Sequence, residues 1–375
     1  MIAKKPPLGW NTWNTFGENI NEALILETAD KMIEYGYKDA GYEYVVIDDC
    51  WALKKRGMDG RLVPDPEKFP HGMKYIADYL HERGLKFGMY SCAGTLTCAG
   101  YPSSYGHEYV DAKTFAEWEI DYLKYDYCYF PKSGDCKTSY LTMSMALRSC
   151  GRDILFAACN WGMEKPWEWM RSIGAHMYRS TGDIFDNYTS FKDIMLSQEN
   201  NFSMSTPDCY NDIDMLTIGM YGNGNAATKG GCTDEEYKFQ FALWCMFSAP
   251  LMMGGDIRNM NDFCKNLMQN KELIAINQDE EGRPPYIVQH WDTYRKIYFK
   301  IMSNNQFAIM FVNYEDEKRH IQISLPDLGL PPRCGKALKV HDCFTGENIG
   351  ILDDVFGVDV NAHSCVLYKG TIIDA

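Results

Sequence analysis

Eight times before residue 280 the chain passes from a short apolar run to a helical run, and this alternation constrains the fold more than any other feature of the sequence. The strand candidates are Leu8–Trp13, Tyr44–Asp48, Lys86–Tyr90, Tyr122–Asp126, Ile154–Cys159, His176–Ser180, a less apolar stretch near Ser203–Tyr210, and Ala249–Met253. Helical patterns fall between them, notably Glu22–Tyr35 behind the N-cap candidate Asn21, His71–Arg83, Ser139–Arg148, Phe191–Glu199 and Asp234–Phe247. Pro250 is tolerable only near the start of the last strand. Eight such units predict a closed (β/α)8 barrel over residues 1–280. The segment Gln278–Pro285 is charged and contains prolines, and beyond it the helical patterns stop. The runs Tyr286–Trp291, Arg295–Ile301, Phe307–Asn313 and His320–Leu325, with Ser303-Asn304-Asn305 as a turn, predict an antiparallel β-sandwich over 281–375.

A barrel of this kind keeps its chemistry in the loops at the C-terminal ends of its strands. Those ends collect acids and aromatics: Trp13, Asp48 with Asp49, Tyr90, Asp126, Asn160 with Trp161, Arg179 with Asp183, and Asp214. Loops that were merely solvated would scatter their charges, so the clustering predicts one composite site. Carboxylates that accept hydroxyl hydrogen bonds, beside flat rings that cover a C–H face, suit a sugar. Lys124 lies two residues before Asp126, on the same strand face, and is expected to favour the ionised form of that carboxylate.

Composition narrows the partners. A formal charge of -14 and a pI near 5.1 argue against nucleic acid and anionic membranes, which need clustered Lys and Arg. The apolar stretch Phe241–Met253 is too short for a bilayer and is broken by Pro250. Lys4-Lys5-Pro6-Pro7 opens the chain without the apolar region of a secretory signal, so a cytoplasmic location is expected. The 14 cysteines include no Cys-x-x-Cys pair, and Asp208, Asp212 and Asp214 lack the alternating ligands and glycine of a calcium loop. Neither a metal nor a cofactor is expected.

Several segments resemble the signatures of glycoside hydrolase family 27, in order: Leu8-Gly9-Trp10-Asn11-Thr12-Trp13, Ile47-Asp48-Asp49-Cys50-Trp51, Phe69-Pro70-His71-Gly72, Thr97-Cys98-Ala99-Gly100, Leu123-Lys124-Tyr125-Asp126-Tyr127-Cys128 and Asn211-Asp212-Ile213-Asp214-Met215. The resemblance implies a retaining exo-glycosidase with Asp126 as nucleophile and Asp183 as acid/base, the two carboxyls about 5 Å apart. Asp186 is the rival for the acid role. By the same resemblance Trp13 packs on the sugar, Asp48 and Asp49 accept its 4- and 6-hydroxyls, and Lys124 donates to the 3- and 4-hydroxyls. Asn160 and Arg179 then contact the 2-hydroxyl, and Tyr90, Cys98, Trp161 and Asp214 complete the pocket. It also implies a Cys98–Cys128 disulfide, whereas the bridges that animal members make from the positions of Cys50 and Cys159 lack partners near Glu18 and Ala175.

The expected substrate is an α-D-galactoside, because Cys159-Asn160-Trp161-Gly162-Met163 resembles the version found in microbial α-galactosidases. Asn160, Met163 and Arg179 are expected to wall off the 2-position against an acetamido group. The alternatives are an α-N-acetylgalactosaminidase, a β-L-arabinopyranosidase and, from a different class, an inert galactose-binding protein.

Overall fold

The computed structural model describes residues 2–227, 230–290, 294–331, 333–352 and 354–374. Its first eight strands are β1 (Leu8–Asn11), β2 (Tyr44–Val46), β3 (Lys86–Cys92), β4 (Tyr122–Asp126), β5 (Leu155–Cys159), β6 (Met177–Arg179), β7 (Tyr210–Asp212) and β8 (Leu251–Met253). They form one parallel sheet in the order β7-β6-β5-β4-β3-β2-β1-β8, and a parallel bridge between Leu216 and Met253 joins the segment after β7 to β8. The expected (β/α)8 barrel is present. The seventh strand is the exception to the expected placement: it is Tyr210–Asp212 rather than Ser203–Tyr210. Phe202–Met204 instead turns in a short 3-10 helix, so the chain enters the barrel later than its composition suggested.

Local chemistry fixes the helices between the strands. Asn21 accepts from the N–H of Leu24, Asp135 from that of Thr138 and Asn187 from that of Ser190, while Thr233 and Glu236 form a reciprocal capping box. Each cap satisfies an N–H that the first turn leaves without a partner, which sets where the helix begins. The outer faces of the strands pack on these helices. Inside the barrel, Tyr44, Val46, Tyr122, Leu155, Ala157, Met177, Tyr210, Met215 and Met252 make a separate apolar layer. Tyr44 and Tyr122 meet with ring centroids 5.5 Å apart. This layer is the floor on which the polar residues at the strand ends stand.

The second domain is antiparallel. Strands β9 (Tyr286–His290), β10 (Arg295–Ile301), β11 (Gln306–Asn313), β12 (Arg319–Ser324), β13 (Lys336–Asp342), β14 (Asn348–Leu352), β15 (Val355–Val360) and β16 (Ser364–Asp374) follow one another. Six of them form a sheet in the order β14-β13-β16-β11-β10-β9, and β12 pairs with β15. Trp291, expected to end the first of these strands, lies outside the described residues. The core between the two sheets holds Ile297, Phe299, Phe307, Ile309, Phe311, Ile321 and Ile323. Strand alternation turns the intervening residues of β10 towards the barrel. There Tyr298 donates to Glu199 at 2.9 Å and packs on Phe247, Lys296 pairs with Glu199, and Lys300 donates to Ser248 Oγ at 2.6 Å and to the Ile276 carbonyl at 2.7 Å. Among the described residues no helix is long and apolar enough to cross a membrane.

Candidate active site

At the C-terminal ends of the barrel strands lies a pocket whose walls include Trp13, Asp48, Asp49, Tyr90, Cys98, Lys124, Asp126, Trp161, Arg179, Asp183 and Asp214. The parallel register explains why they meet. Tyr90 pairs with Lys124 and Cys92 with Asp126, so the ends of β3 and β4 rise together. Asp126 is only 5% exposed. Its Oδ1 accepts from the N–H of Tyr127 at 2.9 Å, while the buried Tyr140 hydroxyl donates to the carbonyls of Tyr125 and Asp126 at 3.2 and 3.1 Å. The first bond orients the carboxylate, and the other two hold the strand end that carries it. A disulfide between Cys98 and Cys128 ties the loop after β3 to the loop after β4 beside it.

Lys124 does not pair directly with Asp126. Its Nζ reaches Asp48 Oδ2 at 2.8 Å, an oxygen that also accepts from Asn11 Nδ2 at 2.7 Å. The sequence places Lys124 and Asp126 on one face, but the long lysine side chain spans to the end of β2. Asp126 is shifted upward from the ordinary carboxylate range. Burial is the largest cause, opposed by the charge of Lys124 and the Tyr127 N–H and reinforced by the charges of Asp48 and Asp183. Asp49 sits beside Asp48 and accepts from the N–H groups of Ala99 and Cys50 at 2.8 and 2.7 Å, and burial raises its pKa too.

On the opposite wall Arg179 bonds to Asp214 Oδ2 at 2.5 Å, to Asp183 Oδ1 at 3.0 Å and to the Gly182 carbonyl at 2.7 Å. Asp214 is buried, with its pKa raised to about 6, chiefly by desolvation, against the lowering effect of Arg179. It also accepts from the Ile184 and Met215 N–H groups at 2.7 and 2.8 Å, which fastens the chain just after Asp183. Asp183 itself is different: its side chain is 67% exposed. Of the five carboxylates in the pocket wall, Asp48, Asp49, Asp126 and Asp214 are buried and Asp183 is exposed.

Two expected residues stand elsewhere. Asn160 is buried, and its amide donates to the carbonyl of Met163, bracing their loop rather than lining the pocket. Met163 is 53% exposed and also outside the lining. The wall there comes from Trp161, held at φ 56° with its ring edge-on to Tyr127. Gly162 allows this turn, since a Cβ on it would lie 2.3 Å from the Ser180 carbonyl oxygen. Asp186 is fully buried and accepts from the Gly222 N–H at 2.6 Å and the Tyr237 hydroxyl at 2.9 Å, away from the pocket.

The sequence did not single out Asn14, Ile184, Phe185, Met215, Asn225 and Ala226, which also line the pocket. Proximity to Asp183 or Asp214 along the chain could have pointed to Ile184, Phe185 and Met215. Asn225 and Ala226 lie in a long loop and carry no such signal.

Residues 5–279 match the family model described as alpha galactosidase A, and residues 292–369 match that of the alpha galactosidase C-terminal beta sandwich domain. An alpha-galactosidase A of Cellvibrio japonicus is 42% identical over 98% of this chain and 92% of its own length. Alpha-galactosidase I of Mortierella vinacea superposes with a TM-score of 0.90 at 33% identity, covering 98% of this chain and 97% of that one. The Saccharomyces cerevisiae alpha-galactosidase solved with raffinose gives 0.90 at 26%, covering 99% and 98%. With both of its domains matched and full-length relatives at this level of identity, the chain belongs to the alpha-galactosidase family of glycoside hydrolases, family 27.

Proposed function

We propose that the protein hydrolyses terminal α-D-galactosides by double displacement, with Asp126 as nucleophile and Asp183 as acid/base. The observation that carries this reading is the contrast between Asp126 and Asp183 in one pocket: Asp126 is buried and fixed at the base, and Asp183 is the exposed carboxyl at the mouth. An Asp126 oxygen attacks the anomeric carbon as the bond to the glycosidic oxygen breaks, and Asp183 delivers a proton to that departing oxygen. Asp183 then removes a proton from water, which attacks the same carbon, releases galactose with retained configuration and restores the Asp126 carboxylate.

The surrounding residues take complementary parts. Asp48 and Asp49 accept hydroxyl hydrogen bonds from the sugar, Lys124 and Arg179 donate, and Trp13 covers the apolar face with Tyr90, Cys98 and Asp214 completing the enclosure. A carboxylate pair committed to hydroxyl donors rejects a sugar that lacks them, because buried acceptors would remain unpaired. Bulk at Trp161, in place of the expected Asn160 and Met163 wall, opposes an acetamido substituent. The names of the relatives support galactose, and the raffinose complex of the yeast relative supports oligosaccharide substrates.

The test is a parallel assay on the nitrophenyl glycosides of α-galactose, α-N-acetylgalactosamine and β-L-arabinopyranose. Galactoside cleavage at least ~100-fold more efficient than that of the N-acetyl analogue is expected. Comparable kcat/KM on those two would replace the reading with an N-acetylgalactosaminidase, preference for the third with an arabinopyranosidase, and no turnover of any with a binding protein.

A further inference from the structure

We infer that the reduced form of the Cys98–Cys128 pair, together with Asp126, is a binding site for a thiophilic divalent cation such as Zn2+ or Cd2+, and that its occupancy shuts the catalytic pocket. The binding stands on geometry; only the loss of activity rests on the proposed role of Asp126. The sulfurs of both cysteines and a carboxylate oxygen of Asp126 all lie within 4.8 Å of one another. Cys98 lines the pocket, with its Sγ 3.5 Å from Asp126 Oδ2. Because Oδ1 is engaged by the Tyr127 N–H, Oδ2 is the oxygen left to attack a sugar, and a cation on it blocks that attack.

A phosphine and one water convert the disulfide into two thiols and the phosphine oxide. The cation then releases both thiol protons to solvent and is held by two thiolates and a carboxylate. Bonds independent of the disulfide keep these donors in place. Ala93 N–H donates to the Asp126 carbonyl at 2.8 Å, Thr95 N–H to that of Tyr129 at 3.2 Å, and the Cys92 thiol to that of Cys128 at 3.3 Å. On the other side of Cys98, Ala99 N–H donates to Asp49 Oδ2 at 2.8 Å. Both loops are therefore anchored beside each sulfur when the S–S bond opens, so the donors meet a cation with little reordering.

The donor set selects the metal. Two thiolates favour Zn2+ or Cd2+ over Mg2+ and Ca2+, which take oxygen ligands. Three protein donors leave one tetrahedral position open to the pocket. The pocket wall carries five carboxylates against two cationic side chains, an excess of negative charge that draws a cation inwards.

The experiment titrates the whole protein with Cd2+ before and after phosphine treatment, reading the ultraviolet thiolate-to-cadmium absorption and the rate on nitrophenyl α-galactoside. The untreated protein controls for other thiols, since the remaining 12 cysteines are free in both forms. Treatment is expected to add about one tightly bound Cd2+ per chain and to lower the Cd2+ concentration that halves the rate by ~tenfold or more, while Mg2+ inhibits neither form. Galactose should raise that concentration by competing for the pocket. Cys128→Ser, treated alike, is expected to lack both the added Cd2+ and the added sensitivity. A bridge that stays closed in the folded protein, loss of the native thermal transition on phosphine treatment alone, no added Cd2+, or a Cys128→Ser variant that binds as the treated protein does would overturn the inference. Added Cd2+ with an unchanged rate would uphold the binding site and overturn instead the role proposed for Asp126.

Discussion

At the scale of single residues, Lys124 shows how much depends on where a long side chain ends. It stands in the pocket wall, bonded to Asp48, and 5.4 Å from the centre of the Tyr90 ring. Its charge still acts on Asp126, opposing the upward shift that burial causes. As the proposed nucleophile Asp126 acts in its ionised form, so kcat/KM should fall as acid protonates it, and the fall should begin above the usual carboxylate value of 3.8. Lys124→Met removes the opposing charge and is expected to move that acid limb to higher pH, by about one unit or more. A pH profile of kcat/KM on nitrophenyl α-galactoside checks this, and a limb that stays in place would contradict the electrostatic role. The common face of Lys124 and Asp126 was legible from strand periodicity, but the partner was not. Asp48 is 76 residues away in sequence and becomes a neighbour only because β2 and β4 flank β3.

At the scale of elements, the loops after β3 and β4 behave as one piece. Ala93 N–H donates to the Asp126 carbonyl at 2.8 Å and Thr95 N–H to that of Tyr129 at 3.2 Å, leaving Gly94 pressed between them. A Cβ there would stand 1.8 Å from the Cys128 carbonyl oxygen. Gly94→Ala must push the loops apart, an overpacking cost on the order of 1–3 kcal/mol. Thermal denaturation should show a lowered Tm, and activity should drop with it because the moved loops carry Cys98 and adjoin Asp126; an unchanged Tm and rate would refute the coupling. The alternation of β and α runs made most of the barrel readable before its structure was known. It failed at β7 because Tyr210–Asp212 is three residues long and two of them are polar, so no apolar run marks it. Asn225 was hidden for a related reason: its place in the pocket follows from backbone pairing between two loops, which leaves no periodic trace.

At the scale of the whole molecule, the two domains meet through an apolar face of the second domain, where Tyr298, Met310, Val312 and Leu367 join the barrel's core and the lysines of β10 are embedded among them. Lys300 is fully buried there, and desolvation lowers its pKa to about 7, with the charge of Asp279 working in the other direction. The unfolded value is near 10.5, so the folded state binds this proton less readily than the unfolded chain. Its contribution to stability is therefore present above pH 10.5, is lost as pH falls towards about 7, and changes little below that. Within that window each pH unit is worth about 1.4 kcal/mol. Lys300→Met carries no proton, and its denaturation midpoint relative to the unmodified protein should improve between pH 9 and pH 7. A difference independent of pH would mean that the lysine stays charged throughout. The first four antiparallel strands were legible in this domain from short β-rich runs and turn residues, but the interface was not, since a lysine in a strand ordinarily faces water.

Covalent bonding of Asp126 to galactose, as proposed, is decided by the configuration of the azide-rescue product. Asp126→Ala should fold as the unmodified protein does while turnover falls by several decades. With nitrophenyl α-galactoside and sodium azide, azide should enter the space left by the carboxylate, attack the face Asp126 would have attacked, and yield β-galactosyl azide of inverted configuration, identified by proton NMR. An α-galactosyl azide, or a variant that keeps a tenth of the original activity, would mean that Asp126 is not the nucleophile.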